Sequence, residues 1–193
     1  MILRLLAALT LATTGSLVSS PPMATGGGVT VTVADFAFSP KGVRVPLGTS
    51  VTWRFPDSVQ HSSTSTQGFW DSGLRSQGGT FTRTFDSSGS YAYRCTPHSD
   101  MRGMVRVPLG ATGSAGQGYT LRWATDTGSG GTTYDVQVRR PGATKWTNLR
   151  SATVKPTTRF NPAVSGTYGV RARTNNGGGG ASGYSPVASV RIS

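Results

Sequence analysis

The stretch that decides the fold of this chain is YAYRCTPHSDMRGMVRV, residues Tyr91 to Val107. Aromatic and polar residues alternate up to Cys95, a short polar loop follows, and a second alternating run ends at Val107. Successive side chains of a strand point to opposite faces, so Tyr91, Tyr93 and Cys95 are predicted to face the same core. The stretch therefore predicts two short strands joined by a loop that carries a thiol, an imidazole and a thioether.

The residues of this loop are metal-ligating types. Cys95 is the only cysteine of the chain, and the chain has two histidines, His98 in the loop and His61 upstream. Two histidines, one cysteine and a weakly held methionine form the ligand combination of blue copper electron-transfer centres. Thiolate and thioether favour Cu(I), whereas imidazole accepts either oxidation state. The sequence thus indicates one site for one copper ion (Cu⁺/Cu²⁺), with candidate ligands His61, Cys95, His98 and Met101.

Two alternatives stay open at this point. Met104 is a rival axial ligand, although strand parity places it on the outer face of its strand with Arg106, which favours Met101. A lone cysteine is most often a small buried hydrophobe, but that interpretation leaves the spacing to the neighbouring histidine unexplained.

The loop CTPHSDMRG, residues 95–103, resembles the ligand loop of the plastocyanin/azurin-type cupredoxins, and its short form is most similar to that of amicyanins. The preceding sequence agrees: DFAFSPKGVRVPLGTSVTW at residues 35–53, the single His61, and WDSGLRSQGGTFTRTF at residues 70–85. The resemblance covers residues 28–108. It implies a Greek-key β-sandwich, the cupredoxin fold, around one blue copper site.

The resemblance also implies the role of each candidate ligand. His61, Cys95 and His98 would be the equatorial ligands, and Met101 would be the axial one. Ser62 departs from the family, because the residue after the first histidine is commonly asparagine there. The implied function is that of a one-electron carrier between redox partner proteins.

The first residues have the layout of a secretory signal peptide, which we expect over residues 1–20. A basic Arg4 precedes the apolar run Leu5–Ala12, and small residues follow. The apolar core is shorter than the ~20 residues that a bilayer crossing needs, so no transmembrane anchor is expected. Residues 21–27 are predicted to be a spacer. The mature protein is therefore expected to be secreted, either extracellular, in the cell envelope or periplasmic.

The rest of the chain is predicted to be all-β, because short β-branched and aromatic runs alternate with turn residues and no sustained helical period is present. Residues 109–117 are predicted to be a linker, and residues 118–193 contain a second set of alternating runs. This second half resembles a fibronectin type III module, an immunoglobulin-like β-sandwich, with Tyr168 at the tyrosine-corner position. We expect a cupredoxin domain at 28–108 and a fibronectin type III-like domain at 118–193.

Charge limits the kinds of partner that this chain can have. The net charge is +12 and no glutamate is present. Most of the excess lies in the second half, which could bind an anionic cell-envelope polymer by general attraction. The competing interpretation is that its arginines only keep the outer strand faces solvated. No recognised nucleic-acid-binding module is present, so nucleic acid is not an expected partner.

Three functions follow, and none of them is enzymatic. The first is electron carriage between redox proteins. The alternatives are a copper-handling protein without electron transfer, and an envelope adhesion module built on a cupredoxin scaffold. Catalysis is not expected, because no glutamate and no third histidine is available as a general base or as a ligand for a second copper centre.

Overall fold

The computed structural model describes residues 28–193. The predicted signal peptide at 1–20 and the spacer at 21–27 lie outside the described residues. The described chain has fifteen strands and no helix, which confirms the all-β prediction. Nowhere in residues 28–193 is there a helix with the length and apolarity that spanning a membrane demands.

The first half of the described chain forms two four-stranded sheets. Their strand orders are β2-β1-β4-β6 and β3-β8-β7-β5. Alternate residues of both sheets join one hydrophobic cluster, so the sheets pack face to face as a sandwich. The strands are β1 (Val29–Ala34), β2 (Ala37–Ser39), β3 (Gly42–Arg44), β4 (Thr49–Phe55), β5 (Thr64–Ser65), β6 (Gly79–Phe85), β7 (Gly89–Arg94) and β8 (Arg102–Val107).

Aromatic rings fill the centre of this sandwich. Trp53 is fully buried, and its ring centroid lies 5.6 Å from that of Trp70, 5.7 Å from that of Phe81 and 5.3 Å from that of Tyr93. Aromatic pairs at such separations contribute roughly 0.5–1.5 kcal/mol each beyond their buried area. Because Tyr93 stands two residues before Cys95, this cluster fixes the strand that leads into the cysteine loop.

The second half forms a three-stranded sheet in the order β13-β10-β9 and a four-stranded sheet in the order β12-β11-β14-β15. A second hydrophobic cluster lies between them, with Leu121, Trp123, Val136 and Val170 fully buried. Tyr168 is buried, and its hydroxyl donates a 2.8 Å hydrogen bond to the Val164 carbonyl, as in a tyrosine corner. The strands are β9 (Gly110–Ser114), β10 (Gly118–Arg122), β11 (Thr133–Arg139), β12 (Thr147–Thr153), β13 (Thr157–Phe160), β14 (Gly166–Asn175) and β15 (Ala188–Ile192).

The stretch predicted as a linker, residues 109–117, needs a correction. Residues Gly110–Ser114 are strand β9, which pairs antiparallel with β10. All five residues of β9 are exposed, so the strand has no apolar alternation that composition could reveal. Backbone hydrogen bonding alone specifies it, and Leu109 anchors its start in the second cluster.

The two halves are joined by hydrogen bonds along the edge of β7. Ser90 and Gly183 exchange backbone hydrogen bonds of 2.8 and 2.9 Å, and the Ser90 hydroxyl donates to the Tyr184 carbonyl at 2.8 Å. The buried Thr174 hydroxyl donates to the Ser88 carbonyl at 3.0 Å. Strand β7 therefore carries contacts to the second half at its start and the cysteine loop at its end.

Candidate metal centre

The cysteine loop is closed by two backbone hydrogen bonds. The Cys95 amide donates to the Met101 carbonyl at 3.1 Å, and the Met101 amide donates to the His98 carbonyl at 3.0 Å. These bonds fold the loop back on itself between β7 and β8. As a result, Cys95 and Met101 both turn into the core, with 0% and 3% of their surfaces exposed, while His98 is half-buried.

His61 reaches the same point from a distant part of the chain. It forms an isolated β-bridge with Arg75, whose amide donates to the His61 carbonyl at 2.8 Å. The His61 side chain is fully buried. This short pairing places the imidazole against the loop, although 34 residues separate it from Cys95.

Three donor atoms converge at the resulting site. The Cys95 Sγ lies 3.7 Å from the His61 Nδ1 and 3.5 Å from the His98 Nδ1, and the two Nδ1 atoms are 3.1 Å apart. Nitrogen and sulfur donors lie about 2.0–2.3 Å from a bound transition metal, so donors that share one ion lie about 3–4 Å apart. The spacing and the chemistry of this donor set therefore fit a single metal ion.

The two methionines have different environments. Met101 belongs to the same hydrophobic cluster as Cys95. Met104 is half-buried and lines a surface depression together with Arg102 and Arg106. The parity prediction for β8 is thus confirmed: Val105 faces the core and Met104 faces outward.

A carboxylate holds the far side of the His61 ring. The Asp57 Oδ2 lies 3.2 Å from the His61 Nε2, and the same oxygen accepts a 3.0 Å hydrogen bond from the Asp35 amide. Such an outer hydrogen bond fixes the ring orientation and the tautomer, and it raises the basicity of the other ring nitrogen. Asp57 was not among the predicted site residues; its position four residues before a candidate ligand was the available signal.

Ser62 links the two segments that carry the donors. Its amide donates to the Cys95 Sγ at 3.3 Å, and its hydroxyl accepts a 2.8 Å hydrogen bond from the Thr96 amide. The hydroxyls of Thr64 and Thr96 lie 3.0 and 2.9 Å from that of Ser62. Despite its departure from the family pattern, this position ties the His61 segment to the cysteine loop through a cluster of three hydroxyls.

Phe36 covers the outer side of the two histidines. Its ring meets those of His98 and His61 edge-on, with centroids 4.8 and 5.8 Å apart. The side chain is 59% exposed, unlike the buried aromatic residues of the sandwich core. Phe36 and Asp35 have φ values of 54° and 50°, a strained conformation that a bulky residue rarely adopts and that clusters at functional sites.

Two buried tyrosines, Tyr91 and Tyr93, lie behind the cysteine. Burial raises the pKa of Tyr93 to about 12, although the neighbouring Trp53 side chain opposes that shift. Burial also raises the pKa of Tyr91, against hydrogen bonds with Ser87 and Thr174 that lower it. Both phenols therefore stay neutral at physiological pH. Gly103 packs so closely under Tyr93 that a Cβ there would overlap the phenol ring.

Comparison with known proteins agrees with this geometry. Residues 26–108 match the family described as "Copper binding proteins, plastocyanin/azurin family". Halocyanin from Natronomonas pharaonis is 40% identical over 68 residues, which span 33% of this chain and 42% of that protein. Amicyanin-alpha from Methylorubrum extorquens is 29% identical over 89 residues, which span 44% of this chain and 75% of that protein. The chain thus spans less than half the length of the halocyanin.

Among solved structures, a reduced Cu(I) form of an amicyanin variant is 27% identical to this chain, with a TM-score of 0.40. That similarity covers 46% of this chain and 91% of the amicyanin. The family takes copper as its cofactor, and His61, Cys95 and His98 are the described residues that form a group able to hold one ion. Residues 26–108 are thus similar to the copper-binding proteins of the plastocyanin/azurin family.

Proposed function

We propose that the cupredoxin domain is a type 1 copper centre that carries one electron at a time between redox partner proteins. His61, Cys95 and His98 would hold the ion in the equatorial positions, and Met101 would be the axial ligand. The observation that supports this most strongly is the convergence of one thiol sulfur and two imidazole nitrogens within 4.8 Å of one another. The bound ion would supply the Cu(I)/Cu(II) couple.

The residues around the donors favour electron carriage over storage of the ion. The buried donor set is fixed by Asp57 on the His61 ring and by the Ser62 amide on the Cys95 sulfur. A site whose ligands are already fixed needs little rearrangement when its charge changes. The half-buried His98 is the donor that lies nearest the surface, so it would be the exit for the electron.

Loading the purified protein with Cu(II) tests this proposal. We expect an intense visible band from thiolate-to-copper charge transfer, an EPR spectrum with narrow copper hyperfine splitting, and reversible one-electron voltammetry. A coloured site without reversible redox would favour the copper-handling alternative. A colourless, weakly bound complex would contradict both proposals.

Substitution of the two methionines tests the axial ligand. We expect Met101→Leu to raise the reduction potential, because the loss of an electron-pair donor in a buried site destabilises Cu(II) more than Cu(I). Met104→Leu is the matched control, and its potential and visible spectrum should equal those of the unaltered protein. A shift caused by Met104→Leu alone would reverse the assignment.

We further propose that the protein acts outside the cytoplasm, in the periplasm, in the envelope or beyond the cell. The signal-peptide layout of residues 1–20 supports this, and metal ligation would account for an unpaired Cys95 thiol in an oxidising compartment. The second half is proposed to be a fibronectin type III-like module. Its three-stranded and four-stranded sheets and the Tyr168 hydroxyl contact support that proposal.

A further inference from the structure

The outer face of the sheet β3-β8-β7-β5 carries a cluster of cations. Arg44 lies directly opposite Arg106, and Arg94 lies directly opposite Arg102. All four side chains are exposed and stand on the face that points away from the core. Lys41 lines the same depression as Arg102 and Arg106. We name these five residues the basic face: Lys41, Arg44, Arg94, Arg102 and Arg106.

The charges of the basic face are not neutralised within residues 28–193. The ion pairs of the described chain are Asp57 with His61 and Asp135 with Arg173, and neither includes a residue of the basic face. Asp71, which bridges to Thr64 of β5, accepts a 2.8 Å hydrogen bond from the Thr64 hydroxyl instead. Like charges directly opposite each other in a sheet are destabilising. Repulsion between the facing arginines therefore destabilises the isolated domain, and an anionic partner would relieve that repulsion.

The arginines of the second half differ in this respect. Arg171 lies between the rings of Trp146 and Tyr184, 4.2 Å from each centroid. Arg173 donates a 2.9 Å hydrogen bond to Asp135. These two cations are already engaged by neighbouring side chains, so they are weaker candidates for a binding surface than the basic face.

The basic face adjoins the metal loop and has an apolar centre. Arg94 immediately precedes Cys95, and Arg102 immediately follows Met101. Between the two rows of arginines lie Met104 and its cross-strand neighbours Gly42 and Ala92. Of these, Gly42 and Met104 form the floor of a shallow depression of about 360 Å³. An apolar centre with a charged rim is the composition of a protein–protein interface.

We propose that the basic face is the docking surface for the acidic surface of a redox partner protein. This inference rests on the proposed electron-carrier function and adds the chemistry of the partner to it. Complementary charge would steer the partner to the sheet that carries Cys95, and the apolar floor would fit a transient contact. A nucleic acid or an acidic polysaccharide would use the cations but not the apolar floor.

The test uses a deca-glutamate peptide as the acidic probe and the full chain without copper. We expect Lys41→Gln/Arg44→Gln/Arg106→Gln to weaken peptide binding about tenfold at low ionic strength, the lower end of electrostatic steering effects. The matched control, Lys145→Gln/Lys155→Gln/Arg191→Gln, removes the same charge from exposed sites of the second half and should leave binding unchanged. Equal losses in the two triple variants would overturn the proposal.

Two further measurements complete the test. Oxidation of the Cu(I) protein by hexacyanoferrate(III) should slow about tenfold in Lys41→Gln/Arg44→Gln/Arg106→Gln. This difference in rate should vanish when salt shortens the Debye length to about 3 Å. Arg94→Gln/Arg102→Gln should give the same result if the first variant folds poorly. Tighter binding of a ten-nucleotide single strand than of the peptide would overturn the assignment to a protein partner. Failure of the carrier proposal would instead appear as no electron transfer in the unaltered protein, with peptide binding intact.

Discussion

Cys95→Ser is expected to abolish the intense visible band of the Cu(II)-loaded protein and its reversible redox couple. Serine has nearly the shape of cysteine, so the fold should persist around the fully buried position. Its hydroxyl stays protonated and lacks the soft sulfur that stabilises Cu(I). Loss of an outer hydrogen bond at a metal site typically lowers affinity about 10- to 100-fold, so removal of a ligand should exceed that range. Absorption, EPR and metal titration measure the effect.

The control for this prediction is that the Cys95→Ser variant folds like the unaltered protein. Circular dichroism and thermal unfolding of the copper-free variant should match those of the copper-free unaltered protein, because within residues 28–193 the sulfur accepts a single backbone hydrogen bond, from the Ser62 amide. An unaltered copper affinity or a retained visible band would refute the proposed ligand set. In that case the two histidines alone would hold the ion.

Gly180→Ala is expected to weaken the attachment of the second half to the first. Gly180 packs so tightly against the Gln67 carbonyl oxygen that a Cβ would overlap it. The neighbouring Asn176 side chain donates to the Gln67 and Gly68 carbonyls at 3.2 and 3.1 Å, and Gln67 in turn accepts a 3.0 Å hydrogen bond from the Ala92 amide of β7. Overpacking costs about 1–3 kcal/mol of stability. This loss would weaken the contacts between the two halves.

Calorimetry of the copper-free protein measures this effect. We expect one transition for the unaltered chain and two separated transitions for Gly180→Ala. Gly178→Ala is the matched control in the same loop, since its Cβ would meet only the Asn176 Oδ1, at an ordinary 3.6 Å. Both glycines lack the positive φ that would penalise alanine by itself. Identical thermograms for the two variants would contradict an interface that couples the halves.

What the sequence predicted well was local. The alternation around Cys95 and along β8 predicts which side chains enter the core, and Met104 lies on the predicted outer side because parity depends only on neighbouring residues. The count of histidines made His61 a candidate ligand, and the resemblance to a family gave it a role. Its approach to Cys95 depends on a two-residue bridge with Arg75, which no periodicity reveals.

The features that escaped prediction depend on tertiary contacts or on backbone hydrogen bonds. Strand β9 has no apolar face, so only its pairing with β10 defines it. Phe36 gives no signal in the sequence of its place at the site, because positive φ values at residues 35 and 36 turn it outward over the histidines. The hydroxyls of Thr64 and Thr96 are ordinary surface residues in the sequence, and only their meeting at Ser62 makes them part of the site.

The cover along the edge of β7 has a consequence for how the protein behaves at high concentration. β5 is only two residues long and pairs with the last two residues of β7, while Gly183 occupies the edge at Ser90. An uncovered strand edge of this kind is a template on which other chains assemble into aggregates. By occupying it, the second half would keep the copper domain from self-association and leave the end that bears the cysteine loop as its open surface.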